Sequence, residues 1–230
     1  MKNISILALW LLIIGYFDSY GQGETTKYGL DPIASLNAYQ TLCLQDSNNR
    51  LVALDTFIPD LKLDIKYASL DNFMGRKMYN RAAAYLRLPA AKALRAVQME
   101  LMECGLGLQI FDAYRPYAVT VAFYEKAQDT VFVASPWKGS RHNRGCAVDL
   151  TLIDLHSGKE LEMPTAFDAF VAEAHADYPH LPEAVIKNRE LLKKVMTKYG
   201  FEVYPDEWWH FDFKDWKRFE LLNISFEVLE

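Results

Sequence analysis

The chain has 230 residues, and 51% of them are hydrophobic, which is enough for a buried core and favours one compact domain. The net charge is −5, and the sequence contains no run of lysine or arginine. This charge pattern argues against a nucleic-acid partner or an anionic membrane surface and favours a small or neutral partner.

The N-terminal residues differ in composition from the rest and predict a secretory signal peptide over residues 1–21. A positive charge precedes an apolar run from Ile4 to Phe17, and small residues follow at Ser19 and Gly21. An uncleaved membrane anchor is the alternative, but the run is short for a span of about 20 residues. We therefore expect an exported protein, periplasmic or secreted, with no stable membrane insertion after signal cleavage.

Residues 22–56 form the next segment, which is polar with scattered apolar positions and ends in a turn-rich stretch. We interpret it as an N-terminal extension, with a short helix from Ile33 to Leu42, ahead of a main domain at residues 57–230. Its role as a pro-like arm, a partner surface or a lid is left open. From Phe57 to Tyr67, apolar and polar residues alternate, which predicts a half-buried strand.

The middle of the chain predicts helices mixed with strands. Pro89 at a first helical position and Gly105 at a helix stop bound one predicted helix. The remaining predicted elements are strands at 106–112, 131–134, 146–154, 201–204 and 208–213, and helices at 117–127, 165–176 and 183–199. No strand–helix unit repeats, so the pattern predicts an α+β domain with a small, mostly antiparallel sheet flanked by helices.

Three cysteines, Cys43, Cys104 and Cys146, lie far apart and lack the CxxC spacing of zinc knuckles and thioredoxin-like motifs. In an exported protein Cys43 and Cys104 are the natural disulfide pair. Three buried free thiols are the alternative, and the sequence does not decide between them.

Two short motifs could together form a metal site. His142 and Asp149 are separated by seven residues, with Gly145 permitting a turn between them, and Glu207 stands three residues before His210. A catalytic zinc site needs three nitrogen or oxygen ligands and an open position for water, and hydrolysis also needs a nearby base. Taken singly, each of these side chains is more often a surface residue or an ion-pair partner, and only their joint pattern favours a metal site.

Other polar and aromatic residues have simpler interpretations. His156, His175 and His180 are expected to be surface residues, and Trp208 and Trp209 are expected to be core anchors.

The segment Ser140–Asp149 matches the pattern S-x-H-x-x-G-x-A-x-D, and Glu207–His210 matches its E-x-x-H partner. In these motifs the chain resembles the zinc D-alanyl-D-alanine peptidases, which include dipeptidases and carboxypeptidases. Further similarity to the dipeptidase branch lies at residues 65–75, 112–116, 167–170 and 200–211. The resemblance covers about residues 57–213 and implies the fold of that superfamily, which hedgehog-like signalling domains share.

Carried over onto this sequence, the resemblance implies one zinc ion per chain bound by His142, Asp149 and His210. It implies that Glu207 is the general base and acid, and that Arg115 stabilises the tetrahedral intermediate. Cys146 stands where such motifs often have serine, which puts a thiol near the metal.

The resemblance also implies substrate contacts. Tyr67 and Asp168 would contact the free amino terminus of a dipeptide, and Ser140 would lie near the substrate. A carboxylate such as Asp168 is the natural partner of an ammonium group, although an aspartate in the first turn of a helix has a structural interpretation.

We therefore expect a zinc metallopeptidase that hydrolyses D-Ala-D-Ala. The alternatives are a D,D-carboxypeptidase acting on muropeptides and a zinc-stabilised binding domain without catalysis. Glu207 argues against the last, because a purely structural zinc ion needs no adjacent base.

Overall fold

The structure is a computed structural model that describes residues 26–129 and 133–229. The predicted signal peptide lies outside the described residues. A five-stranded sheet forms the centre, and its strands are β2 (Lys62–Leu63), β4 (Leu106–Asp112), β5 (Ala147–Asp154), β6 (Phe201–Val203) and β7 (His210–Phe213). The strand order is β2-β4-β5-β7-β6, and only the β2–β4 pair within this sheet is parallel. The prediction of an α+β domain with a mostly antiparallel sheet is confirmed.

A second, two-stranded sheet pairs β1 (Leu51–Ala53) with β3 (Tyr85–Arg87) in antiparallel orientation. The α-helices are α1 (Leu36–Gln45), α2 (Leu54–Phe57), α3 (Leu88–Met102), α4 (Tyr117–Ala127) and α5 (Glu183–Lys198). Among the described residues, no helix is both long and apolar enough to span a bilayer.

Helix α3 shows how the sequence directs these elements. Pro89 occupies its first turn, where the missing backbone N–H is not needed, and Gly105 adopts a left-handed φ of 73° just beyond its end. Its buried positions, which include Leu94, Val97 and Leu101, recur at helical spacing and pack into the core. Strand β4 and helix α4 have the predicted bounds, and α5 ends one residue before its predicted end.

Two predicted elements are wrong. The strand expected from Phe57 to Tyr67 is reduced to β2, because Phe57 ends a helix, Asp60 has a left-handed φ of 54° and a 3₁₀ turn covers Lys66–Ala68. The helix expected over residues 165–176 is replaced by turns and a 3₁₀ turn at Ala172–Ala174.

Two further predictions concern a strand and a disulfide. Residues 130–132 lie outside the described part of the chain, and Val133 and Ala134 belong to no strand. All three cysteines are free: Cys43 is half-buried, Cys104 is exposed and Cys146 is buried. The Cys43–Cys104 disulfide is therefore not formed in the structure.

The segment ahead of residue 57 packs onto the domain. The Tyr39 hydroxyl accepts a hydrogen bond from the Leu51 backbone N–H at 2.7 Å, and Ile33 exchanges backbone hydrogen bonds with Leu221 and Asn223. The position of the predicted boundary between extension and domain stays a prediction.

Candidate active site

Three neighbouring strands carry polar side chains to one line across the central sheet. In the strand register, Asp149 of β5 lies opposite Asp112 of β4 on one side and opposite His210 of β7 on the other. An irregularity between Ile110 and Asp112 shifts the β4 register at this point. Strand β5 is buried on both faces, so Asp149 occupies a buried position.

His142 reaches the same point from a loop. A 3₁₀ turn over His142–Arg144 ends at Gly145, whose φ of 67° is left-handed, and the chain then enters β5. The His142 carbonyl accepts a hydrogen bond from the Arg115 backbone N–H at 3.1 Å, and the Ser140 hydroxyl accepts one from the His142 N–H at 3.1 Å. The predicted turn is confirmed, and it is tied to the core on both sides.

The three predicted ligands converge. Asp149 Oδ1 lies 3.0 Å from His210 Nδ1, and Asp149 Oδ2 lies 3.4 Å from His142 Nε2. The two facing imidazole nitrogens are 3.2 Å apart, and one ligand atom from each residue lies within 4.8 Å of the others. All three side chains are buried.

Hydrogen bonds assign the free nitrogen of each imidazole. His142 Nδ1 lies 2.6 Å from the Ala113 carbonyl, and His210 Nε2 lies 3.1 Å from Asp212 Oδ1, so each of these nitrogens carries the donated proton. The two nitrogens that face each other are then the ones left to bind a metal ion, beside a carboxylate. A metal ion satisfies such a donor set, and two imidazoles with one carboxylate are typical zinc ligands.

The charge state of Asp149 suits this arrangement. Although burial opposes its charge, the imidazoles of His142 and His210 hold the pKa of the carboxyl well below its usual value. Asp149 is therefore ionised at neutral pH.

Glu207 lies in the turn before β7, with its Oε2 3.6 Å from His210 Nδ1. The His210 backbone N–H bonds to the Glu207 carbonyl, so the turn aims both side chains to one side, as the sequence required. Burial raises the pKa of Glu207 to about 7. A carboxyl group with this pKa can exchange a proton at neutral pH.

Arg115 follows β4 and is held rigidly. Its Nε and Nη2 donate to Asp112 Oδ2 at 2.9 and 2.7 Å, and its guanidinium lies over the Phe123 ring at 4.7 Å. The other Asp112 oxygen accepts from the Tyr79 hydroxyl at 2.8 Å. Arg115 Nη2 also lies 3.8 Å from Asp149, which places its positive charge beside the three convergent side chains.

Asp168 and Tyr67 form a second group. The Tyr67 hydroxyl donates to Asp168 Oδ2 at 2.8 Å, and Asp168 has a left-handed φ of 58°. Loss of solvent around the carboxyl raises the pKa of Asp168 to about 8. No α-helix forms at residues 165–176. The alternative interpretation of Asp168, as an aspartate in the first turn of a helix, is therefore wrong.

All eight predicted site residues line one cavity of about 100 Å³, and they are Tyr67, Arg115, Ser140, His142, Asp149, Asp168, Glu207 and His210. Trp209 is also in its wall, whereas His156, His175 and His180 are exposed elsewhere. A cavity of this size suits a small ligand and not an extended polymer.

The sequence reasoning missed two supporting carboxylates. Asp212 orients His210, and its position two residues later on the same strand face was a usable signal. Asp112 holds Arg115, and the spacing of three residues between opposite charges pointed to that pair. Both are buried, so each needs the partner that it has.

Comparison with known proteins places the chain among peptidases. The model of the peptidase M15 family, described as D-ala-D-ala dipeptidase, matches residues 47–225. The chain belongs to the D-Ala-D-Ala dipeptidase family. The resemblance predicted from the motifs is therefore confirmed, and the chain is a member of a family of enzymes.

Curated relatives of this D-Ala-D-Ala dipeptidase family member carry the name D-alanyl-D-alanine dipeptidase. The relative from Escherichia coli K12 is 38% identical over 176 residues, which cover 76% of this chain and 91% of the relative. The relative from Streptomyces coelicolor is 30% identical over 70% of this chain and 90% of its own length. The relative from Enterococcus faecalis is 29% identical over 73% of this chain and 93% of its own length.

Proposed function

We propose that this member of the family hydrolyses the dipeptide D-Ala-D-Ala to two molecules of D-alanine, with one zinc ion per chain. The observation that carries the proposal is the convergence of His142, Asp149 and His210 beside the buried carboxyl of Glu207. The names of the curated relatives support the choice of substrate.

His142, Asp149 and His210 would hold the zinc ion through His142 Nε2, His210 Nδ1 and the Asp149 carboxylate. Zinc supplies Lewis acidity, which lowers the pKa of water towards about 7 and polarises a carbonyl group. The Ala113 carbonyl and Asp212 fix the two imidazole rings in the orientation that binding needs.

Glu207 moves the protons. Its carboxylate takes a proton from the attacking water and returns it to the nitrogen of the leaving D-alanine, so one group acts first as base and then as acid. A pKa of about 7 suits both roles. Arg115, fixed by Asp112, stabilises the negative oxygen that forms when water attacks the peptide carbonyl.

Asp168 and Tyr67 bind the ammonium group at the free amino terminus of the dipeptide. The cation favours the ionised form of Asp168, because the charge that is costly in the empty cavity gains a partner. Ser140 lines the cavity next to His142 and lies near the bound dipeptide. Fixing the ammonium near the scissile bond favours a dipeptide over a longer muropeptide.

Release of free D-alanine tests the proposed activity. Purified protein is loaded with zinc and incubated with D-Ala-D-Ala, with acetyl-D-Ala-D-Ala and with a muropeptide ending in D-Ala-D-Ala. We expect the free dipeptide to be hydrolysed at least about 100-fold faster than the N-blocked peptide, and a chelator to abolish activity. Equal rates on the longer peptides would replace the proposal with a D,D-carboxypeptidase, and zinc binding without hydrolysis would indicate a binding domain.

We further propose that the protein is exported and loses residues 1–21. The composition of that segment supports this, and a D-Ala-D-Ala dipeptidase outside the cytoplasm fits recycling or scavenging of cell-wall peptides. N-terminal sequencing of the mature protein tests it, and a protein that retains Met1 in the cytoplasm would contradict it.

A further inference from the structure

Arg141 immediately precedes His142 and has a guanidinium group that the fold uses only in part. Its side chain lines the cavity and is 41% exposed. Its Nε lies 3.5 Å from Asp212 Oδ2, which is too long for a good charge-assisted hydrogen bond, and this buried nitrogen has no hydrogen-bond partner. The nearby Arg144, in contrast, donates to the Phe219 carbonyl.

Trp216 holds the guanidinium group of Arg141 in place. The Arg141 guanidinium lies 4.9 Å from the centre of the Trp216 ring, a distance at which an arginine is attracted to the ring face. This contact limits the freedom of a long side chain while it leaves the terminal nitrogens available to a ligand. A guanidinium restrained in this way loses little entropy when it binds a planar anion.

The charged side chains around the cavity are connected by a series of contacts. Asp168 contacts Tyr67, and Arg115 lies over the same Tyr67 ring. Arg141 contacts Asp212, which bonds the outer nitrogen of His210. The anionic Asp168 and the cationic Arg141 thus belong to different parts of the cavity wall. Along this chain of contacts, the three predicted metal ligands lie between them.

We propose that Arg141 binds the free α-carboxylate of the dipeptide and makes the enzyme selective for substrates that end one residue after the scissile bond. This inference rests on the proposed function. A guanidinium and a carboxylate form paired, nearly parallel hydrogen bonds, which give both strength and orientation. Asp168 and Arg141 together then recognise the two charges of a zwitterionic dipeptide.

The test compares two substrates that differ only in the group that Arg141 would bind. D-Ala-D-Ala has a free carboxylate, and D-alanyl-D-alaninamide has a neutral amide of similar size at the same place. The wild-type enzyme should favour the free acid by about 30-fold in kcat/KM, since hydrogen bonds to charged groups contribute about 1.5 to 3 kcal/mol. Arg141→Gln should lose about that factor on the free acid, mainly through KM, and should hydrolyse the amide at nearly the wild-type rate.

Two further variants separate binding from folding. Arg141→Lys keeps the positive charge and should retain part of the preference for the free acid. Lys217→Gln removes another cation that lies over the Trp216 ring, at 5.5 Å, and should leave the preference unchanged.

Each remaining outcome overturns a specific claim. If Arg141→Gln lowers kcat/KM equally on both substrates, Arg141 acts on the fold or the zinc site and not on the carboxylate. If Arg141→Gln keeps the wild-type preference, another group binds the carboxylate. If the wild-type enzyme hydrolyses neither compound, the proposed function itself fails.

Discussion

Hydrogen-bond partners assign a distinct role to each polar side chain of the site. The Ala113 carbonyl fixes His142 and Asp212 fixes His210, so the other nitrogen of each imidazole is the one left to bind a metal. Glu207 has no comparable hydrogen-bonded anchor among the described residues: its Oε2 lies 3.6 Å from His210 Nδ1, which is too far for a hydrogen bond. A carboxyl group held in this way is suited to moving protons and not to fixing a ring.

Replacing Glu207 with Gln should remove proton transfer and retain zinc binding. We expect kcat to fall by about 100- to 10,000-fold, which is the usual contribution of a general acid–base group. Zinc content, measured by atomic emission on the dialysed protein, should stay near one ion per chain. Parallel loss of zinc and of activity would instead show that Glu207 is a ligand.

Asp168 should make the stability of the metal-free protein depend on pH. Its pKa rises from 3.8 in the unfolded chain to about 8 in the folded protein, so between these values the folded state holds a proton that the unfolded state has lost. This contribution to stability is complete below pH 3.8, decreases as pH rises and is gone above about pH 8. The slope is at most about 1.4 kcal/mol per pH unit.

The comparison with Asp168→Asn isolates that contribution. Urea unfolding of both proteins between pH 5 and 9 should show that the wild type loses stability relative to the variant up to about pH 8, after which the difference levels off. A constant difference across this range would mean that Asp168 is ionised in the folded protein throughout.

At the level of elements, the strand register and one turn assemble the site. The register places Asp112, Asp149 and His210 side by side on three strands, and the Gly145 turn returns the chain so that His142 faces Asp149. An ideal strand would point residues seven apart in opposite directions, so the turn is essential.

Gly145→Ala should damage both stability and zinc binding. A Cβ at this position would lie 2.6 Å from Leu51 Cδ2, and the φ of 67° is unfavourable for alanine. We expect a loss of roughly 2 to 4 kcal/mol in the free energy of unfolding and at least about tenfold weaker zinc binding.

Gly158→Ala is the matched control. Gly158 has a φ of 69°, but an added Cβ would meet no atom within 4 Å. This variant should lose only about 1 to 2 kcal/mol and should bind zinc normally. Equal effects of the two substitutions would show that only the backbone strain affects stability, and that the clash of the added Cβ with Leu51 does not.

Across the whole molecule, Arg87 joins distant segments of the chain. This fully buried side chain donates to the carbonyls of Asn49, Arg144 and Glu220, and its backbone N–H bonds to the Gly145 carbonyl. It therefore links the segment ahead of residue 57, the turn that carries His142, and the C-terminal region. No described carboxylate forms an ion pair with it, so the three carbonyls satisfy its donors.

Arg87→Met should destabilise the protein by about 3 kcal/mol or more, because the carbonyls of Asn49, Arg144 and Glu220 would lose the donor that they share. Lys92→Met, at an exposed position of α3, is the control and should change stability by no more than about 0.5 kcal/mol. Urea unfolding at constant m-value measures both. If Arg87→Met is as stable as the control, the buried guanidinium does not link the segments energetically.

The part of the fold that could be predicted follows local rules. Helices α3 and α5 have apolar residues at helical spacing and end close to Gly105 and Gly200, so their positions were accessible from the sequence. The two elements predicted wrongly, at residues 57–67 and 165–176, have periodic side chains but backbone geometry set by distant contacts. Asp168 in particular has a left-handed backbone and contacts Tyr67, about a hundred residues away.

The sequence by itself determined the α+β class, the family and the three residues that converge, because the motif spacing and the glycine turn are local features of the chain. The tertiary structure decided which supporting groups complete the site. Arg141 meets Asp212, and Asp112 meets the Tyr79 hydroxyl, only when loops and strands from distant positions come together, since such partners of a buried charge are set by contact in space and not by sequence spacing. The same holds for the free state of Cys43, which depends on where the chain places Cys104.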